Sequence, residues 1–132
     1  MSRPHERRRL ALLAAGAGPG RVVVLPSMTF AASANAVLYT GAEPVFVDSR
    51  SDDANVEAEL LLEAVRTLQS EGADVAAAMA VDLFGRAADY ALLEPGLAEL
   101  GVPLVEDAAE GLGATLGQRA VGSFGLRRNG TP

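Results

Sequence analysis

The chain has 132 residues, enough for one small domain with its own core and too few for two. A net charge of −6 gives it no electrostatic attraction to nucleic acid or to anionic membrane. It has no cysteine, which excludes disulfides, thiolate metal sites and cysteine nucleophiles; its eleven basic residues are all arginines, so it has no lysine either.

Met1 to Arg9 is polar and arginine-rich, and Leu10 to Gly18 is apolar and small, an order shared with secretory and twin-arginine signals. Direct continuation into a strand at Arg21 favours a helix over roughly Arg8 to Ala15 instead, closed by Gly16 or Gly18 and stopped by Pro19. No run reaches transmembrane length. Gly16, Gly18 and Gly20 lack the spacing of a dinucleotide loop, and they follow a helix and precede a strand where that loop does the reverse. Arg21 to Leu25 is a buried strand. A helix over Ala31 to Tyr39 follows, capped by Ser27 or Thr29 and stopped by Gly41. Pro44 to Val47 is the next strand. The polar stretch after it, Ser49 to Asn55, sets Asp48, Asp52 and Glu59 at calcium-loop positions. Arg50 and Asp53 occupy the positions that need an oxygen ligand and a glycine, so we read a solvated loop.

Val56 to Ser70 is a helix with Leu60, Leu61, Ala64, Val65 and Leu68 spaced for one apolar face, ended by Gly72. Asp74 to Val81 is an apolar strand that closes at Asp82-Leu83-Phe84-Gly85. A helix runs from Tyr90 to Leu100, with Pro95 inside it and Gly101 as its stop. The next stretch, V-P-L-V-E-D-A-A-E (Val102 to Glu110), is an apolar run that breaks off at two carboxylates, Glu106 and Asp107. That is how the carboxyl end of a buried parallel strand reads, and ligands of open α/β sheets bind beyond such ends. A buried carboxylate there needs a cation or hydrogen-bond donors. Gly113 to Leu116 and Arg119 to Val121 flank Gly117-Gln118 as a hairpin. Helix and strand alternate almost throughout, which predicts an α/β fold: a mostly parallel sheet with helices on both faces.

Five stretches in order carry a resemblance: L-A-L-L-A-A-G-A-G-P-G; L-P-S-M-T-F-A-A-S-A-N-A-V-L-Y-T-G-A-E-P-V-F-V-D; V-D-L-F-G-R-A-A-D-Y; V-E-D-A-A-E-G-L-G-A-T; and V-G-S-F-G. Together they make the chain similar to part of the large domain of the DegT/DnrJ/EryC1/StrS sugar aminotransferases, pyridoxal-phosphate enzymes of fold type I. The V-D-L-F-G and E-D-A-A-E variants are most like members that make amino sugars such as perosamine or bacillosamine precursors. The resemblance divides the chain into a poorly structured segment 1–9, a partial aminotransferase large domain 10–125 and a divergent tail 126–132.

It also implies roles for particular residues. Asp107 would pair with the pyridine nitrogen of pyridoxal 5′-phosphate, keeping it protonated so that the ring can accept electrons. Phe30 would stack on the ring; read without the resemblance, it is a core phenylalanine. Glu110 matches a position, Gln in many members, that contacts the phenolic oxygen. An ionised Glu can only accept, so that role requires a protonated side chain. The family reaction moves an amino group, usually from glutamate, to a nucleotide-linked ketosugar, in homodimers with sites at the subunit interface. The implied location is cytoplasmic, with no metal. The family's Schiff-base lysine lies beyond G-S-F-G, and this chain departs from the pattern at Leu126. It also lacks the upstream phosphate-binding turn, and its one histidine, His5, lies at the wrong end to substitute for the lysine. The expectation is a truncated or frameshifted remnant, inactive in amino transfer by itself. Two alternatives remain: a non-catalytic module that pairs with a full-length partner, and a nucleotide-binding flavodoxin-like domain. The second is disfavoured because no strand leads into a glycine-rich phosphate loop.

Overall fold

The computed structural model describes residues 4–27, 31–49, 55–82, 88–107, 115–116 and 119–120. In chain order the elements are α1 (Pro4–Ala15), β1 (Val22–Pro26), α2 (Ala31–Tyr39), β2 (Glu43–Val47), α3 (Ala58–Ser70), β3 (Val75–Val81), α4 (Tyr90–Glu99) and β4 (Leu104–Asp107), followed by a short ribbon, β5 (Thr115–Leu116) and β6 (Arg119–Ala120). The ribbon is antiparallel, as the hairpin reading requires. Its turn, the loop at 50–54 and the tail from 121 lie outside the described residues.

The expected parallel sheet is present. Its four strands run in the order β2-β1-β3-β4, and each neighbouring pair is parallel. Side chains of a strand alternate between faces, and here both faces are covered. On one face Val22 and Val24 of β1, Ala78 and Ala80 of β3 and Leu104 of β4 pack with Leu61, Leu62 and Val65 of α3 and Leu93 and Leu97 of α4. On the other, Val23, Leu25, Ala77, Met79, Val81 and Val105 pack with Leu12 of α1 and Ala36 and Val37 of α2. Strands buried on both faces read as unbroken apolar runs, which is why V-V-V-L and V-A-A-A-M-A-V show no polar alternation. The register slips between Val22 and Val23, which pair with Val75 and Ala77. Ala76 is the extra residue, and it joins Ala77 on the α1–α2 side.

Two expectations need correction. α1 begins at Pro4, four residues before the predicted start at Arg8, so most of the segment read as poorly structured is helical. Proline fits the first turn, where its missing N–H costs nothing, and Glu6 there favours the positive end of the helix dipole. The buried stripe of α3 is Ala58, Leu61, Leu62 and Val65, while Leu60 is 43% exposed. Both stripes satisfy helical spacing. The partner chosen is α4, where Gly96 leaves room for Leu62: a Cβ on Gly96 would lie 2.7 Å from Leu62 Cδ1.

Helix ends follow the expected chemistry. Gly41 stops α2 at φ +86°, a conformation open to glycine without strain, and its missing Cβ leaves space for the ring of Pro19. Asp89 caps α4, its side chain accepting the Leu92 N–H at 3.3 Å.

The topology locates the functional rim. β1 and β3 sit side by side at the centre, and the chain leaves them toward opposite edges of the sheet, β1 to β2 and β3 to β4. This is a topological switch point, and the carboxyl ends of the strands around it form the ligand-binding edge of such sheets.

Candidate functional site

Three acids gather at that edge. Asp107 ends β4, Glu106 precedes it, and Asp82 follows the last residue of β3. β3 and β4 are in register up to Val81 and Asp107, and the Asp82 N–H donates to the Asp107 carbonyl at 3.0 Å. The period of two then sorts the side chains. Asp107 shares a face with Val105 and turns toward α1 and α2, whereas Glu106 shares a face with Leu104 and turns toward α4.

On the α1–α2 side, Asp107 is 5% exposed. Two donors meet at one of its oxygens, Oδ2: the Ser33 hydroxyl from the first turn of α2 at 2.8 Å, and the Arg8 Nε–H from α1 at 2.5 Å. Both are enclosed with it, Ser33 at 1% exposure and the Arg8 side chain at 12%. The donors are what a buried carboxylate requires. Such a pair is weak evidence for stability, since desolvating two charges offsets most of their attraction, yet removing one partner typically costs about 3–5 kcal/mol.

On the α4 side, Asp82 is fully buried. Its Oδ1 accepts the Tyr90 hydroxyl at 2.7 Å and the Ala88 N–H at 2.9 Å, while Oδ2 has no hydrogen-bond partner. Burial first, then the charges of Asp82 and Glu106, push the Tyr90 phenol far above its ordinary value, so it keeps the proton it donates to Asp82. This cluster ties the end of β3 to the start of α4.

Of the residues singled out from sequence, Asp107 therefore sits where a rim acid was expected. Phe30 and Glu110 lie outside the described residues, as does the 83–87 segment of the D-L-F-G motif. Sequence reasoning missed Arg8 and Ser33. A hydroxyl inside the otherwise apolar A-A-S-A-N-A-V-L-Y helix was a usable signal for Ser33; nothing marked Arg8 among its arginine neighbours. A separate groove of about 420 Å³, lined by Glu6, Arg9, Ala32, Asn35 and Tyr39, runs between α1 and α2. Neither Asp107 nor its partners Ser33 and Arg8 line it.

The chemistry of this edge can be stated simply. An enclosed carboxylate with a hydroxyl beside it presents a strong, directional acceptor to a planar, positively charged N–H group. A protonated pyridine nitrogen is such a group, so Asp107 and Ser33 suit the ring nitrogen of pyridoxal phosphate. Arg8 already supplies a cation of the same kind.

Comparison with known proteins gives the family. The sequence model of the DegT/DnrJ/EryC1/StrS aminotransferase family matches residues 8–128. The chain is 40% identical over 116 residues to a GDP-perosamine synthase of Caulobacter vibrioides, a match covering 88% of this chain and 30% of that protein. It is 40% identical over 121 residues to a UDP-N-acetyl-3-dehydro-alpha-D-glucosamine 3-aminotransferase of Acidithiobacillus ferrooxidans, with 88% and 30% covered. Its fold superposes on a crystal structure of a DegT DnrJ EryC1 StrS aminotransferase from Brucella abortus with TM-score 0.89 at 38% identity, covering 92% of this chain and 33% of that one. The chain thus spans about 30% of the length of the curated relatives it matches.

Proposed function

The chain belongs to the DegT/DnrJ/EryC1/StrS aminotransferase family, and on that premise we propose that it forms the cofactor-facing part of the large domain of a pyridoxal-phosphate aminotransferase acting on nucleotide-linked ketosugars. The relatives named above carry nucleotide-sugar activities, which supports that substrate class. The amino donor in this reading is glutamate, the assembly a homodimer, and the location cytoplasmic; among the described residues no helix is long and apolar enough to cross a membrane. Residues 10–125 are the aminotransferase part, and 126–132 are a divergent tail.

The observation that carries the reading is the enclosed Asp107 carboxylate at the carboxyl end of β4. When bound, the cofactor supplies an electron sink for loss of the substrate's α-proton. The chain's own residues hold and orient it. Asp107 would hold a proton on the ring nitrogen and Ser33 would hold the Asp107 oxygen; by the family resemblance Phe30 would stack on the ring and a protonated Glu110 would serve the phenolic oxygen. With no lysine the chain has nothing to hold the cofactor covalently, so by itself it binds the cofactor without transferring amino groups. Titration of the purified chain with pyridoxamine 5′-phosphate, followed by ligand fluorescence, tests this. Saturable binding that Asp107→Asn weakens supports the proposal, and binding indifferent to Asp107→Asn refutes it.

A second reading, a non-catalytic module that pairs with another subunit, is favoured by exposed apolar side chains on α1 and α2. Leu10 is 62% exposed, Leu38 56% and Tyr39 68%. Sedimentation of wild type against Leu38→Asp separates the readings: a dimer that dissociates in the variant, with no ligand binding in either, supports the module.

A further inference from the structure

We propose that Arg8 is a built-in occupant of the cofactor site, a guanidinium standing where the cofactor's protonated ring nitrogen would bond, which must withdraw before the cofactor enters. The inference rests on the reading of Asp107 as the ring-nitrogen partner and adds what this chain does at that position when no cofactor is bound.

The geometry is specific. Asp107 Oδ2 accepts from Ser33 Oγ at 2.8 Å and from Arg8 Nε at 2.5 Å. A carboxylate oxygen has two lone-pair directions, so these two donors fill it. A further N–H donor aimed at that oxygen has to displace one of them. Ser33 can give up the bond only by turning its short side chain within the packed helix, since it is 1% exposed and cannot reach solvent. Arg8 can. Its long stem leaves α1 a little over one turn from the helix start at Pro4, and its neighbours Arg7 and Arg9 on the same helix are exposed.

The chemistry of the exchange is also matched. Arginine Nε–H and a pyridinium N–H are both planar, sp² nitrogen donors bearing delocalised positive charge, and each makes a charge-assisted bond to a carboxylate. Replacing one with the other never leaves Asp107 bare inside the protein, a state that burial strongly disfavours. A neutral ring nitrogen offers no such exchange. Arg8 thereby weakens every ligand for this acid and does so most for those that do not bring their own cationic N–H. The Arg8 guanidinium also holds the enclosed carboxylate in place between ligands.

The lysine-free sequence makes the test clean, because no side-chain amine can capture a cofactor aldehyde; pyridoxamine 5′-phosphate removes the aldehyde as well. Its affinity is measured by fluorescence for wild type, Arg8→Ala, Arg8→Gln and Asp107→Asn, all in the full chain. If Arg8 holds the site nine-tenths of the time, removing it strengthens apparent binding about tenfold, since affinity scales with the competent fraction. Arg8→Gln retains a neutral donor and is the variant to use if Arg8→Ala fails to fold. Ligand-induced thermal shift is the second readout, and it should be larger in the Arg8 variant than in wild type. Tighter binding in either Arg8 variant, lost again when Asp107→Asn is added, upholds the proposal. Equal or weaker binding in the Arg8 variants, with Asp107→Asn still weakened, overturns it while leaving the cofactor reading intact. Affinities unaffected by Asp107→Asn, or no binding in wild type and Arg8 variants alike, overturn both.

Discussion

Tyr90→Phe isolates one hydrogen bond at the functional rim. The Tyr90 hydroxyl donates to Asp82 Oδ1 at 2.7 Å, and both residues are fully buried. The substitution keeps the ring and its packing and removes the hydroxyl that makes this bond. Asp82 is then left with the Ala88 N–H as its remaining donor, because Oδ2 already lacks a partner. Hydrogen bonds to charged groups contribute about 1.5–3 kcal/mol, so a loss near 2 kcal/mol is expected. For a chain of this size that corresponds to roughly 6–10 °C in Tm. Asp82→Asn supplies the control: its carbonyl still accepts from both donors, and the buried charge is gone. In that background the Tyr90 hydroxyl makes only a neutral bond, and Tyr90→Phe should cost about 1 kcal/mol. Urea unfolding of the wild type, both single variants and the double variant gives the coupling directly. A Tyr90→Phe loss below about 0.5 kcal/mol, or the same loss in both backgrounds, would refute the idea that a charge-assisted bond joins β3 to α4.

The same tyrosine sets an alkaline limit. The unfolded chain releases the phenol proton from about pH 10, whereas the folded chain holds it well beyond that because of burial and the Asp82 charge. Stability is therefore fully present below about pH 10 and falls as pH rises past it. In a Tyr39→Phe background Tyr90 is the one remaining tyrosine, and phenolate absorbance should develop only together with loss of helical circular dichroism; absorbance preceding unfolding contradicts this. Gly96→Ala should destabilise although alanine favours helices by about 1 kcal/mol, because the new Cβ would lie 2.7 and 2.8 Å from the two Leu62 methyls. Overpacking of this kind costs about 1–3 kcal/mol, and Leu62→Ala in the same chain should abolish the penalty in urea titrations.

Much of the architecture was legible because parallel strands buried on both faces must be apolar runs. V-V-V-L and A-A-A-M-A-V announced themselves, and the acids at the ends of β3 and β4 marked the carboxyl edge. The rotation of α3 was not legible. Stripes through Leu60 and through Leu62 obey the same spacing, and the choice depends on Gly96, thirty-four residues away in another helix. The start of α1 was hidden under four arginines, although Pro4 and Glu6 are sound first-turn residues. At the site, Asp107 could be read from its place at the end of an apolar run. Its partners could not, since Ser33 and Arg8 reach it across 74 and 99 residues. Asp82 and Tyr90 are separated by only 8 residues, and an acid ending a strand with a tyrosine opening the next helix is a local pattern that could have been taken as a pair. Local rules found what is set by one element; contacts fixed by the stacking of two helices over a strand end needed the fold.

The most direct test of the central claim is the protonation state of the ligand's ring nitrogen on the protein. Pyridoxamine 5′-phosphate carrying an isotope-labelled ring nitrogen is bound at saturation and its nitrogen resonance recorded across the neutral to alkaline range. If Asp107 is the ring partner, the bound nitrogen stays protonated to higher pH than in free ligand, and Asp107→Asn returns it to the free-ligand titration. A bound nitrogen that titrates as in solution in wild type would contradict the account.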